Sequence, residues 1–254
     1  MTELTNHPLI FFLVSFVLMS VAAWFGASVL RRKKPLDSEM REDFSVVQSA
    51  TLTLLALVIG FSLSMAVGRY DQRKNYEEEE ANAIGTEYLR ANLLPDAMAS
   101  SVRALLVKYL EQRILFYQVT DAQRLAEIDA ATGKLEDQMW VDLKNAALAQ
   151  PTPVTALAVA GMNDVINTQG YTQAAWWNRI PLAAWTLMIV IGAFCNVLVG
   201  YGARTATLFK RFLLVMPLVV SLSVMLIADI DSPRNGIIRV VPQNLLSTAQ
   251  SMSH

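Results

Sequence analysis

The chain has 254 residues, 54% hydrophobic and 17% charged, with a net charge of −1 and a mean hydropathy of +0.35. Soluble domains run about 45–50% apolar and about 25% charged, so the balance argues against a cytoplasmic domain, and no basic surplus points to nucleic acid. With one cysteine, Cys195, and two histidines, His7 and His254, the parts for a disulfide, a thiolate cluster, most zinc sites or a Ser-His-Asp triad are missing; no enzyme activity, metal or cofactor is expected.

The apolar residues collect in runs near 9–30, 44–68, 180–203 and 212–230, each close to the roughly 20 residues that cross a bilayer. The first run stops at Arg31, Arg32, Lys33 and Lys34, and no Lys or Arg stands in Met1 to Pro8. A secretory signal would carry its charge ahead of the run, so this pattern predicts a retained first helix with its C-terminal end in the cytoplasm. The second short loop is basic too, with Arg204, Lys210 and Arg211. With four spans the two loops share a side. The positive-inside rule then puts both termini and residues 69–179 outside the cytoplasm, in the bacterial inner membrane.

Residues 69–179 hold 15 of the 22 acidic residues and read as helices over 69–94, 97–119, 121–149 and 153–178. Pro95-Asp96 ends the first, Thr120-Asp121 opens the third, and Thr152 caps the fourth with Pro153 in its first turn. Four near-equal helices return the chain to the membrane as an antiparallel bundle. Leu105, Leu106, Tyr109, Leu110, Ile114 and Phe116, then Leu125, Ile128, Leu135, Met139 and Leu143, are its expected core. The fold predicted is thus an all-α membrane protein, four transmembrane helices with a four-helix extramembrane bundle inserted between helices 2 and 3. Its divisions are 1–68 (spans 1 and 2), 69–179 (bundle), 180–230 (spans 3 and 4) and 231–254 (tail).

The second span runs without a breaker into the bundle and offers two faces. Ala56, Gly60, Ser64 and Gly68 recur every four residues as a small-residue packing ridge. Gln48, Leu55, Ile59, Ser62, Arg69 and Arg73 put polar groups at both ends of an apolar stripe, which suits either a pore with a hydrophobic constriction or a packed, interfacial face. In the third span Gly192, Asn196 and Gly200 form a second packing ridge, with Asn196 needing a hydrogen-bond partner, expected across helices. Pro217 in the fourth span leaves a carbonyl for neighbours to satisfy. Asp229, Asp231 and Arg234 fall at the membrane level of Arg69, Asp71 and Arg73, which allows an outer ion-pair network. Glu77 to Glu80 are expected to form a solvated face, and Trp176, Trp177 and Trp185 to anchor at the interface. The apolar stretch Gly236 to Pro242 is expected to fold back onto the bundle or the bilayer surface.

Two segments resemble a known family: TLLALVIGFSLSMAVGRYDQR from Thr53 to Arg73, continuing through EEANAIGTEYLR from Glu79 to Arg90, and DIDSPRNGIIRV from Asp229 to Val240. Together they resemble the bestrophin-like membrane proteins of bacteria, over nearly the whole chain. Bestrophins proper are pentameric ion channels whose second span lines a hydrophobic neck, which the resemblance places around Leu55, Ile59 and Ser62. Their helical domain is cytosolic, whereas the basic loops here put it outside. The expectation is a homo-oligomer in the lipid bilayer passing small inorganic ions, with Arg69 and Arg73 drawing anions to its outer mouth. A non-conducting sensor or scaffold, its bundle binding a partner, is the alternative.

Overall fold

The computed structural model describes residues 5–33, 36–37, 39–203 and 213–253. Lys34 of the first basic loop, Arg204, Lys210 and Arg211 of the second, and His254 lie outside the described residues. Every regular element among the described residues is helical. Helix α1 is Pro8–Phe25, carried on by a π-helical turn, Gly26–Leu30, and a last α-helical turn, Arg31–Lys33. Then come α2, Met40–Arg90, closing in a 3-10 turn at Ala91–Leu93; α3, Asp96–Gln118; α4, Ala122–Ala149; α5, Pro153–Trp177; α6, Leu182–Tyr201; α7, Val215–Asp231; and α8, Gln243–Met252.

The helices start where their capping chemistry stands. The Asp121 carboxylate accepts the Arg124 N–H at 2.8 Å to open α4, and the Thr152 hydroxyl accepts the Thr155 N–H at 3.1 Å to open α5, each satisfying one of the donors a helix start leaves over. Bounds of α3, α4 and α5 fall within one residue of those predicted. Helix α2, by contrast, stops at Arg90, and the extended backbone at Leu94 precedes Pro95, as the steric demand of proline on its predecessor requires.

Among the described residues three helical runs are long and apolar enough to cross a membrane: Pro8–Lys33, Met40–Leu93 and Pro153–Tyr201. Helix α7 has 17 residues, about 26 Å at 1.5 Å per residue, and the expected run 212–230 begins at residue 212, outside the described residues. Pro217 falls in its first turn, where no intrahelical partner is needed for its nitrogen.

The chain divides into two compact units, Met1–Gly68 with Arg179–Arg239, and Arg69–Asn178 with Val240–His254. In the first, α1 packs on α6 and α7. The buried face of α1 is Pro8, Phe11, Ser15, Met19 and Ala23, while Leu9, Leu13, Val17, Val21 and Trp24 on its other side are exposed. Trp185 is buried with its ring edge-on to Phe11. It is a packing residue, not the interfacial anchor expected.

The second unit is a bundle of residues 69–90 of α2 with α3, α4 and α5, joined by α8 from the C-terminal end. Leu106, Tyr109, Leu110, Phe116, Ile128, Met139 and Leu143 are buried in its core, with Leu105, Ile114, Leu125 and Leu135 partly buried against them. Trp176 is buried too, edge-on to Phe116 and Tyr117 at 5.0 and 5.3 Å between ring centroids, so it belongs to this core rather than to an interface. Trp177, next to it, is 73% exposed.

Candidate functional site

Helix α2 carries both of the faces singled out in the sequence, and these two faces have different surroundings. On one, Leu55 is 2% exposed and Ser62 6%, with Gln48 and Ile59 half-buried. This face packs along α6: the Cys195 thiol donates to the Thr51 carbonyl at 3.4 Å, and the Phe44 ring stands edge-on to Tyr201 at 5.4 Å. A β-carbon at Gly202 would meet Phe44 and Gln48. Leu55 and Ser62 of the stripe weighed as a pore lining are therefore buried within the chain itself. The other face carries Ala56, Gly60, Ser64 and Gly68, all exposed, and a β-carbon at Gly60 or Gly68 would meet nothing within 4 Å. Among the described residues this ridge is thus left exposed within the chain. Leu57 and Phe61 flank it, 51% and 68% exposed.

In the second unit the same helix turns charge inward. Arg73 is buried and donates to the carbonyls of Ala175 and Asn178 at 3.3 and 3.4 Å. It thus satisfies acceptors that the end of α5 leaves open, where a cation also suits the helix dipole. The charge run Glu77 to Glu80 is split by helical geometry. Glu78 and Glu79 are exposed, whereas Glu77 and Glu80 are buried, contrary to the solvated face expected. The Glu77 carboxylate accepts the Leu245 N–H at 2.9 Å and the Asn244 side-chain amide at 2.6 Å. It supplies the cap that Pro242 cannot give α8. Glu80 is the hub of the core: it takes the Arg113 guanidinium in an ion pair with both groups fully buried, the Tyr117 hydroxyl at 3.3 Å and the Thr172 hydroxyl at 3.1 Å. Burial and the Glu80 charge hold the Tyr117 phenol well above its ordinary range, and burial above all does the same for Tyr109. Sequence reasoning missed Arg113, although a cation in the middle of the stripe Leu106, Tyr109, Leu110, Phe116 was a signal that an anion must meet it.

Asp229 and Asp231 end α7. The Asp229 carboxylate accepts the backbone N–H groups of Ile237 and Ile238 at 2.7 and 2.9 Å. Gly236 is needed there because a β-carbon would strike the Asp229 carbonyl. Asp231 accepts the Ile180 N–H at 3.2 and 3.1 Å from its two oxygens and pairs with Arg179 at 3.7 Å. These carboxylates fasten the connectors that enter α6 and leave α7. Asp229 holds the amides of Ile237 and Ile238, and Asp231 holds the Ile180 amide and Arg179. Asp71 is exposed. In α6, the Asn196 side-chain amide donates to the Gly192 carbonyl at 2.8 Å within its own helix, not across helices. Among the described residues no group of three or more His, Cys, Asp or Glu is placed to hold a metal ion.

Comparison with solved structures finds the same fold in bacterial bestrophin homologues. One variant of the Klebsiella pneumoniae protein matches with a TM-score of 0.66 at 15% identity, over 95% of this chain and 98% of that one. A second variant gives 0.67 at 11% identity, over 94% and 97%. No curated protein matches by sequence. A family model, the bestrophin-like domain, matches residues 13–245. Both expected segments of resemblance lie within that match, and the chain belongs to the bestrophin-like family.

Proposed function

We propose that the protein is an oligomeric ion channel or permeability protein of the bacterial inner membrane, in which several copies present the small-residue face of α2 to a shared path. The observation that carries this reading is the uncovered ridge Ala56, Gly60, Ser64 and Gly68, flanked by exposed Leu57 and Phe61, on a helix whose opposite face is packed. An apolar constriction of that kind gates ions by dewetting, and small side chains keep it wide enough to pass them. The lining thus moves from Gln48, Leu55, Ile59 and Ser62 to the ridge. The cations at that end of the span, Arg69 and Arg73, supply the charge that would favour anions.

Purified protein in liposomes is expected to pass chloride, sodium or potassium, and Gly60→Leu to cut that flux several-fold by filling the path. Absence of flux of all three ions from a folded oligomer would sink the reading and favour a sensor or scaffold. Topology is tested separately. The basic loops predict that reporters fused after His254 and within residues 69–179 read as extracytoplasmic, and one at residues 36–37 as cytoplasmic. The reverse result would invert the protein in the membrane and move the proposed mouth to the inside.

A further inference from the structure

Glu87 lies on the buried side of α2, one full turn and more beyond Glu80, and its side chain is wholly buried. Neither carboxylate oxygen has a hydrogen-bond partner among the described residues, which sets it apart from Glu77 and Glu80. It is packed against Gly161 of α5: a β-carbon there would collide with Glu87 Oε2 and with Arg90 Nη1. The charged groups that act on it among the described residues are two, Arg90 on its own helix and Asp164 on α5. They face each other at 3.8 Å, with the Asp164 side chain 64% exposed. On α3, Arg103 is committed to Tyr88 and Asn92. An ionised carboxylate without a donor is far costlier to bury than a neutral one.

We propose that Glu87 is a proton-operated switch inside the helical bundle. Protonated, it packs as a neutral group on Gly161 and leaves Arg90 to Asp164; ionised, it draws Arg90 away from Asp164 and loosens the seam between α2 and α5. Burial, opposed by Arg90 and helped by Asp164, pushes its carboxyl from 4.5 up to about 8. Because the folded-state value is raised, folding takes up this proton. The stability it contributes is full below the unfolded-state value and is lost as pH rises through the folded one, in the range where a cell compartment or the medium varies. Only the buried position, the missing donors and the glycine contact are needed. The switch does not depend on conduction.

The test uses the full chain in detergent and two readouts. Melting temperature is followed from about pH 5 to about pH 9 for wild type, Glu87→Gln and Asp164→Asn. The wild type is expected to lose stability across that range more steeply than Glu87→Gln, which melts higher at the alkaline end. Asp164→Asn moves the wild-type fall to lower pH, because removing that negative charge eases ionisation of Glu87. Infrared difference spectra give the second readout, a protonated-carboxyl band at neutral pH that vanishes in Glu87→Gln. Superimposable pH profiles for wild type and Glu87→Gln overturn the switch, as does a wild type without that band at neutral pH. If Glu87→Gln fails to fold, the wild-type band and the Asp164→Asn shift still decide it. Ion flux enters neither measurement, so failure here leaves the channel reading standing and the converse holds equally.

Discussion

Arg113→Leu is expected to cost about 3–5 kcal/mol, which is the usual penalty for breaking a buried pair from one side. The leucine itself fits a stripe already made of Leu106, Tyr109, Leu110 and Phe116. The damage comes from Glu80, which keeps its Tyr117 and Thr172 hydroxyls but loses the cation that neutralises it in a site closed to water. Domains are stable by only about 5–15 kcal/mol, so the variant should melt many degrees lower or fail to accumulate. The cause separates from a packing defect by removing both charges: Arg113→Leu with Glu80→Gln should recover most of the loss, since a neutral amide can still accept the two hydroxyls. Denaturant or thermal unfolding of the purified chain reads this directly. A double variant as unstable as the single one would mean that the guanidinium acts through its stacking on Phe116, 4.5 Å from its centroid, and not through charge.

The same ion pair shows where sequence reading stops. Helix ends were legible because their signals are local: Asp121 and Thr152 cap the helices that follow them, and Pro95 forbids helix just before itself. The apolar periodicity of α3 and α4 was legible for a related reason, that a stripe of large apolar side chains has few places to go but a core. Polar groups carry no such direction. Consecutive residues on a helix are about 100° apart, so four glutamates in a row cannot all face water, yet composition does not say which two turn in. That depended on Arg113, Leu245 and Asn244, which lie far along the chain. Trp176 and Trp185 misled in the same way, since tryptophan near a span end suits both an interface and a core.

Two-sidedness explains the pore stripe as well. Gln48, Leu55, Ile59 and Ser62 share one face of α2, but periodicity identifies a face and not its occupant. Its neighbour is α6 of the same chain, and the clue was outside α2, at Gly202, where a β-carbon would meet Phe44 and Gln48. The connectors were half legible: Asp229 and Asp231 at the edge of an apolar run demanded partners. Backbone amides of residues 180, 237 and 238 met that demand, and amides leave no trace in side-chain composition.

Gly200→Ala should be as damaging in the apolar unit as Arg113→Leu is in the bundle, and the reason is geometric. A β-carbon at Gly200 would strike the Ala23 carbonyl and the Ala27 nitrogen, backbone atoms of α1 and its π-helical turn. From the other side, one at Gly26 would strike the Val197 carbonyl of α6. Backbone cannot rotate away as a side chain can, so the helices must separate. Overpacking costs typically 1–3 kcal/mol and more where nothing yields, so about 3 kcal/mol is expected here. Gly192→Ala is the control on the same face of α6. Its β-carbon would meet Met19 Cε at 3.0 Å and Val220 Cγ1 at 3.2 Å, side-chain ends that can move, one of them on a flexible thioether. Alanine also favours helix over glycine by about 1 kcal/mol, so this change should be close to neutral. Thermal melts of the two variants in detergent therefore separate contact with backbone from contact with side chains. Equal losses would mean that α1 and α6 are held apart by something other than the crossing at Gly26 and Gly200.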